Sequence, residues 1–145
     1  MSCVFCDIVT GEAPARWVAR QARAVAFLPL PEQALAPGHT LVIPREHAVG
    51  VQDVSPAGLS AAALLVQQVA RAAEAALGAT GVCVLNASGP GSGQNVDHLH
   101  FHVVPHWADD EYHAWPDRAS DRRAPAGVDV AVRLAEAMSS DGGLR

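Results

Sequence analysis

The segment HLHFHVVPH, running from His98 to His106, sets histidines at alternate positions in an otherwise apolar run. A β-strand sends successive side chains to opposite faces. His98, His100 and His102 therefore project to one side, and Leu99, Phe101 and Val103 to the other. A half-exposed strand needs only polar residues on its outer face, and Thr, Lys, Glu or Ser normally supply them. Three imidazoles in a row point to chemistry instead. Two kinds fit. Alternate histidines can share a metal ion, or one imidazole can act on a substrate while its neighbours tune it.

The preceding stretch, ASGPGSGQN at 87–95, has too many Gly and Pro residues for regular structure. Successive backbone amides in such a loop form a concavity that attracts phosphate oxygens. Beside a histidine face, the loop would cradle phosphate while a neutral imidazole nitrogen attacks phosphorus, splitting one displacement into two steps. Cys3 and Cys6 form a Cys-x-x-Cys pair, which is half of a structural zinc site. Such a site takes four ligands, and two imidazoles complete it. His47 is a candidate third ligand and one of the three strand histidines the fourth. The other reading of the pair is two buried apolar thiols. Cys83 lies in an apolar strand and reads as packing, His39 as a solvent-facing turn residue, and His106 and His113 as members of a polar arm.

The elements that must hold these residues are legible in part. WVAR (17–20) and AVAFL (24–28) read as strands around a turn at 21–23, TLVIP (40–44) as a β-branched strand after the turn APGH, and VCVLN (82–86) as a strand before the glycine loop. Ser55-Pro56 has N-cap and first-turn chemistry. Leu59, Ala62, Val66, Val69, Ala70, Ala73 and Leu77 recur at helical spacing before a stop at Gly78. His98–Pro105 is the histidine strand. The segment 106–127 is a polar, Trp-punctuated arm, in which Trp107, Tyr112 and Trp115 are placed to pack against the body or a second subunit. Residues 128–138 predict a C-terminal helix. The order gives an α+β class: an antiparallel five-stranded sheet with one long helix and a C-terminal helix, in a single domain spanning 1–145.

The bulk numbers agree. A chain of 145 residues suits one domain. Half the residues are hydrophobic and 17% are charged, a globular balance. Every basic residue is Arg. The absence of Lys excludes a lysine nucleophile, and a net charge of −5 argues against broad nucleic-acid binding. No apolar run is long enough for a membrane span, and the N-terminus lacks the pattern of a secretory signal. Three cysteines do not make a disulfide framework. The expectation is a cytoplasmic protein.

The segment GQNVDHLHFHVVP resembles the signature of the histidine triad (HIT) hydrolases. CVFCDIVTGEAPARWV and APGHTLVIPREH resemble the bacterial, zinc-containing branch of that family, with a match from about residue 3 to residue 105. The resemblance implies a sheet-and-helix fold that forms a homodimer, with two sheets joined edge to edge. It implies hydrolysis or transfer at the α-phosphorus of a purine nucleotide conjugate, of the adenosine phosphoramidate or dinucleoside polyphosphate type. His100 would be the nucleophile and form a nucleotidyl-histidine, which water resolves. His102 would bond the phosphate and its developing charge, and Gln94 would orient the phosphate or leaving group. Gly93 and Asn95 belong to the same phosphate loop, and Asn86 would touch ribose or phosphate. Val4, Phe5, Ile8 and Phe27 would wall the base pocket. Cys3, Cys6, His47 and His98 would hold a structural zinc that pins the N-terminal segment to the active strand.

Two positions depart from the pattern. Pro29 stands where many relatives have an Asp that contacts ribose, and offers neither charge nor a backbone donor. His106 stands where Arg is common. These departures motivate a second hypothesis, a non-catalytic, zinc-stabilised nucleotide-binding or interaction protein. A third, a metal hydrolase that uses His98, His100 and His102 together, leaves Cys-x-x-Cys without a role.

Overall fold

The structure is a computed structural model and describes residues 2–140. These fall into two units, one ending at His113 and one starting at Ala114. The outermost residues of the expected 1–145 domain, residue 1 and 141–145, lie outside the described part. The first unit runs α1 (Val4–Thr10), β1 (Arg16–Arg20), β2 (Ala24–Leu28), a 3-10 turn (Pro31–Gln33), β3 (Thr40–Pro44), α2 (Pro56–Leu77), β4 (Gly81–Leu85) and β5 (Phe101–His106). The second contains α3 (Val130–Ser140), two residues later at each end than the 128–138 expected. The five strands form one antiparallel sheet in the order β1-β2-β3-β5-β4, so the α+β, five-stranded antiparallel expectation holds.

The long helix forms where its signals stand. Ser55 Oγ accepts from the Gly58 amide, Pro56 occupies the first turn, and Gly78 closes the helix in the left-handed region. Glu46 accepts a hydrogen bond from the Ser55 hydroxyl, which ties the end of the β3 segment to the start of α2. Ala62, Leu65, Val69 and Ala73 are buried along α2, and the first three pack on Ala24, Ala26, Val42 and Val103 of the sheet. Leu65 belongs to this buried set, while Leu77 is exposed.

The opposite face carries the second core cluster. Phe5 and Ile8 of α1 pack on Val25, Phe27, Leu41 and Ile43. α1 has no clear sequence signal. Its N-cap, Cys3, makes no side-chain cap bond, and the helix spans only 7 residues before Gly11 ends it at φ 85°. The register Leu41↔His102 puts His102 on the α1 face, and Val42↔Phe101 puts Phe101 on the α2 face. The alternation expected of the histidine segment therefore holds. The ladder itself begins only at Phe101, not at His98. His98 and His100 belong to a lead-in whose amides bond elsewhere: His98 N–H donates to the Val96 carbonyl and Leu99 N–H to that of Ala48.

Gly38, just before β3, has φ 82°, and a Cβ there would lie 2.4 Å from Leu77 Cδ1 and 3.3 Å from Pro105 Cγ. Gly11 has a similar φ with nothing within 4 Å. Gly11→Ala should cost about 1–2 kcal/mol from the left-handed backbone alone. Gly38→Ala should cost about 1–3 kcal/mol more, from overpacking. Urea unfolding of the two variants compares them directly.

Candidate functional site

His39, His98 and His100 each have one ring nitrogen committed to a backbone group, and a backbone group can play only one role. A carbonyl accepts, so the nitrogen facing it carries the proton. An amide donates, so the nitrogen facing it carries the lone pair. His98 Nε2 lies 2.9 Å from the Pro44 carbonyl, which leaves Nδ1 as its lone pair. His100 Nδ1 lies 2.8 Å from the His98 carbonyl, which leaves Nε2 as its lone pair. His39 Nδ1 accepts from the Leu35 amide at 3.0 Å. Its proton is therefore on Nε2, which donates to His102 Nδ1 at 3.0 Å. Neutral His102 in turn holds its proton on Nε2. The site thus presents a nucleophilic lone pair on His100 and a donor on His102, with ring centroids 5.0 Å apart.

His39 corrects the expectation of a solvent-facing turn residue: it is 3% exposed. Gly38–His39 leads straight into β3, and the β3–β5 pairing brings His39 against His102. The signal was available only once that pairing was known. His106 is likewise not part of the arm. It ends β5, stacks on Tyr112 at 5.2 Å between centroids, and has Nδ1 3.5 Å from the Asp110 carboxylate.

Burial sets the charge state. It lowers the pKa of His39, and of His98 and His100, where the carbonyl contact of each offsets part of the effect. His102 is pushed down to about 4, first by burial and then by the neighbouring His100 and His39. At neutral pH these rings are bases, not cations.

Cys3, Cys6, His47 and His98 converge, their four donor atoms all lying within 4.8 Å of one another. His98 Nδ1 is 3.6 Å from Cys3 Sγ and 3.5 Å from Cys6 Sγ, and His47 Nδ1 is 3.3 Å from Cys6 Sγ. Tetrahedral zinc, with Zn–S of about 2.3 Å and Zn–N of about 2.0–2.1 Å, sets sulfur and nitrogen about 3.6 Å apart. The donor set fits such an ion in ligand type and spacing, and His98 turns its lone pair toward it. Burial and the adjacent Cys3 push the Cys6 thiol up. The triad does not converge on one point: the lone pair of His98 faces the cysteines and that of His100 does not. This geometry argues against a metal shared by all three.

The remaining expected residues divide. Phe5 packs edge-on against His100 at 5.2 Å, His98 at 6.0 Å and Phe27 at 5.5 Å. Ile8 and Phe27 are buried beside it, and Val4 is half exposed. Asn86 donates to the His100 carbonyl at 3.0 Å and accepts from Ser88 Oγ at 2.7 Å. Gln94 is fully engaged inside the loop. Its Oε1 accepts from the Gly89 amide, and its Nε2 donates to the Val49 and Val96 carbonyls. Its side chain locks the loop around Gly89, Gly91 and Gly93, all at positive φ, while Asn95 is exposed.

The HIT domain family model matches residues 10–108. The chain is 38% identical over 105 residues to an adenosine 5'-monophosphoramidase of Schizosaccharomyces pombe, covering 72% of this chain and 74% of that protein. It is 29% identical over 141 residues to the Hit protein of Bacillus subtilis, covering 96% of each. Among solved structures, a zinc-bound histidine triad family protein from Mycobacterium smegmatis superposes with a TM-score of 0.71 at 34% identity, covering 97% of this chain and 98% of that one. Sequence, sheet order and histidine geometry agree: the chain belongs to the histidine triad (HIT) family.

Proposed function

We propose that the protein is a nucleotidyl hydrolase or transferase acting at the α-phosphorus of a purine nucleotide conjugate, of the phosphoramidate or dinucleoside polyphosphate type. The observation that supports this best is the pair of locked tautomers. His100 offers an Nε2 lone pair, held by the bond from its Nδ1–H to the His98 carbonyl. His102 offers an Nε2 donor, held by the bond from His39. His100 Nε2 attacks phosphorus and the bond to the leaving group breaks. The His102 Nε2 proton, oriented by the bond from His39, passes to the leaving atom, and the water of the second step returns one to His102. Water then attacks the phosphorus of the nucleotidyl-His100, releasing the nucleoside monophosphate and returning His100. The amides of 89–93, braced by Gln94, receive the phosphate oxygens. Val4, Phe5, Ile8 and Phe27 wall the base, and Asn86 holds the His100 backbone.

Cys3, Cys6, His47 and His98 would hold a structural zinc, which fixes the start of α1 to the lead-in of β5 and supplies no step of the reaction. No helix among the described residues is long and apolar enough to cross a membrane, and we read the protein as cytoplasmic. β4 is an edge strand with Val84 48% exposed. We assign it to an edge-to-edge homodimer.

Adenosine phosphoramidate should release AMP with the wild-type chain. His100→Ala should lose about 10³-fold or more in kcat/KM, together with the nucleotidyl adduct seen by mass spectrometry. His102→Ala should lose about 10²–10⁴-fold. Nucleotide binding without turnover or adduct would instead favour the non-catalytic, zinc-stabilised binding protein.

The lowered pKa of His102 also makes a stability prediction. Between about pH 4 in the fold and 6.5 unfolded, the unfolded chain binds the extra proton, so stability rises with pH in that window. It is fully present above 6.5 and is lost as pH falls toward 4. Each such proton contributes a slope of about 1.4 kcal/mol per pH unit. Thermal unfolding between pH 7 and pH 4 should show this slope, reduced in His102→Gln by roughly one proton's worth.

A further inference from the structure

Cys3 and Cys6 stand one helical turn apart with their sulfurs inside the four-donor cluster. Both are half-buried and unoxidised. Cys83, the third cysteine, sits apart from them in β4. Cys3 is the N-cap of α1, with extended backbone (φ −125°, ψ 119°) and no side-chain cap bond. Nothing in the helix therefore holds its side chain away from Cys6. Between them in the chain lies Phe5, the residue that touches both His98 and His100.

We propose that the Cys3–Cys6 pair is an oxidative modification site for hydroperoxides, and that disulfide formation there releases the metal and shifts the Phe5 wall of the nucleotide site. The metal arm rests on the zinc reading given above; the disulfide arm does not. One thiolate attacks the peroxide, the O–O bond breaks, and the alcohol, or water from hydrogen peroxide, departs after taking a proton. The sulfenic acid so formed is attacked by the second thiolate. The S–S bond forms, and hydroxide leaves and is protonated to water. Two electrons pass from the two sulfurs to the peroxide, and two thiols with one hydroperoxide give one disulfide, one alcohol and one water.

The structural consequence follows from geometry. A disulfide sets its two sulfurs about 2.05 Å apart, whereas a tetrahedral zinc with Zn–S of about 2.3 Å holds two of them about 3.8 Å apart. Closing that gap draws Cys3, the extended N-cap, and Cys6 together, and Phe5 between them moves with the pair. His98 then loses Cys3 and Cys6 as thiol partners, and His47 loses Cys6. Ile8, packed on Val25, Phe27, Leu41 and Ile43, keeps α1 on the sheet, so the change is a displacement and not an unfolding.

The test uses the full chain, zinc-loaded, in wild type and in Cys83→Ser, which removes the unrelated thiol. Hydrogen peroxide is titrated while a metallochromic dye reads zinc, intact mass reads the thiols, and calorimetry reads AMP binding. We expect one zinc released per chain as the mass of two hydrogens is lost. Cys83 should remain alkylatable, AMP should bind about tenfold or more weakly, and a thiol reductant with added zinc should restore everything. Cys6→Ser should show no disulfide and no reversible loss of AMP affinity. Three results would overturn the proposal: zinc retained until Cys83 has oxidised, sulfinic acids formed in place of a disulfide, or a disulfide that leaves AMP affinity unchanged. If acid denaturation of the loaded chain yields no zinc, the metal reading fails by itself. The mass and calorimetry arms then still decide the thiol pair.

Discussion

The chemistry of this chain depends on which nitrogen of each histidine carries its proton, and three backbone groups make that choice. The Pro44 carbonyl fixes His98, the His98 carbonyl fixes His100, and the Leu35 amide fixes His39, which in turn fixes His102. A backbone amide or carbonyl cannot reverse its role, so the tautomers are as rigid as the chain that supplies them. Pro44 ends β3, Leu35 lies in the loop before β3, and His98 opens the lead-in to β5. The β3–β5 pairing therefore organises the reactive groups as well as the sheet. Burial completes the arrangement, because a lone pair is useful only if the ring is not protonated, and each of these rings has its pKa lowered.

A short segment after β3 joins the parts of the site. The Ala48 carbonyl accepts from Leu99, between the two histidines with opposite tautomers, and the Val49 carbonyl accepts from Gln94 of the glycine loop. The Val51 amide donates to Ser88, whose hydroxyl donates to Asn86, whose amide donates to the His100 carbonyl. Asp53 holds the segment's own turn through the Val49 and Gly50 amides. His47 begins this segment. The donor cluster, the glycine loop and the nucleophile thus share one hydrogen-bonded frame on one face of the sheet, while α2 supplies apolar packing on the other.

Features with local signals could be read from the sequence. Alternation at 98–103 shows directly in residue types, and α2 has Ser55-Pro56 at one end and Gly78 at the other. Cys3, Cys6, His47 and His98 form a set because their ligand chemistry is narrow. What escaped depends on contacts distant in sequence. His39 looks like a turn residue because its role exists only after β3 pairs with β5, 63 residues away at His102. α1 escaped because Phe5 and Ile8 hold it to the sheet, while the helix has neither length nor an N-cap bond. For Gln94 and Asn86 the family resemblance implies phosphate or ribose contacts. Residue identity does not reveal their protein partners, three backbone groups for Gln94 and the His100 carbonyl and Ser88 hydroxyl for Asn86.

The same frame sets the electrostatic character of the reaction. The groups assembled around His100 are neutral imidazoles, amides and apolar side chains, in a chain that lacks Lys and has a net charge of −5. Three of the arginines are placed elsewhere. Arg20 lies over the Trp17 ring, Arg45 donates to the Gln21 carbonyl, and Arg123 donates within its own segment. Neutral groups gain little from a phosphate's charge in the ground state. They offer oriented N–H dipoles instead, which interact most strongly where charge develops as phosphorus is attacked. Such dipoles need no reorganisation only if they are held in advance. The frame from Ala48 to Asn86 and the three backbone tautomer locks do that holding, and this accounts for so many polar side chains near His100 being bonded to protein backbone.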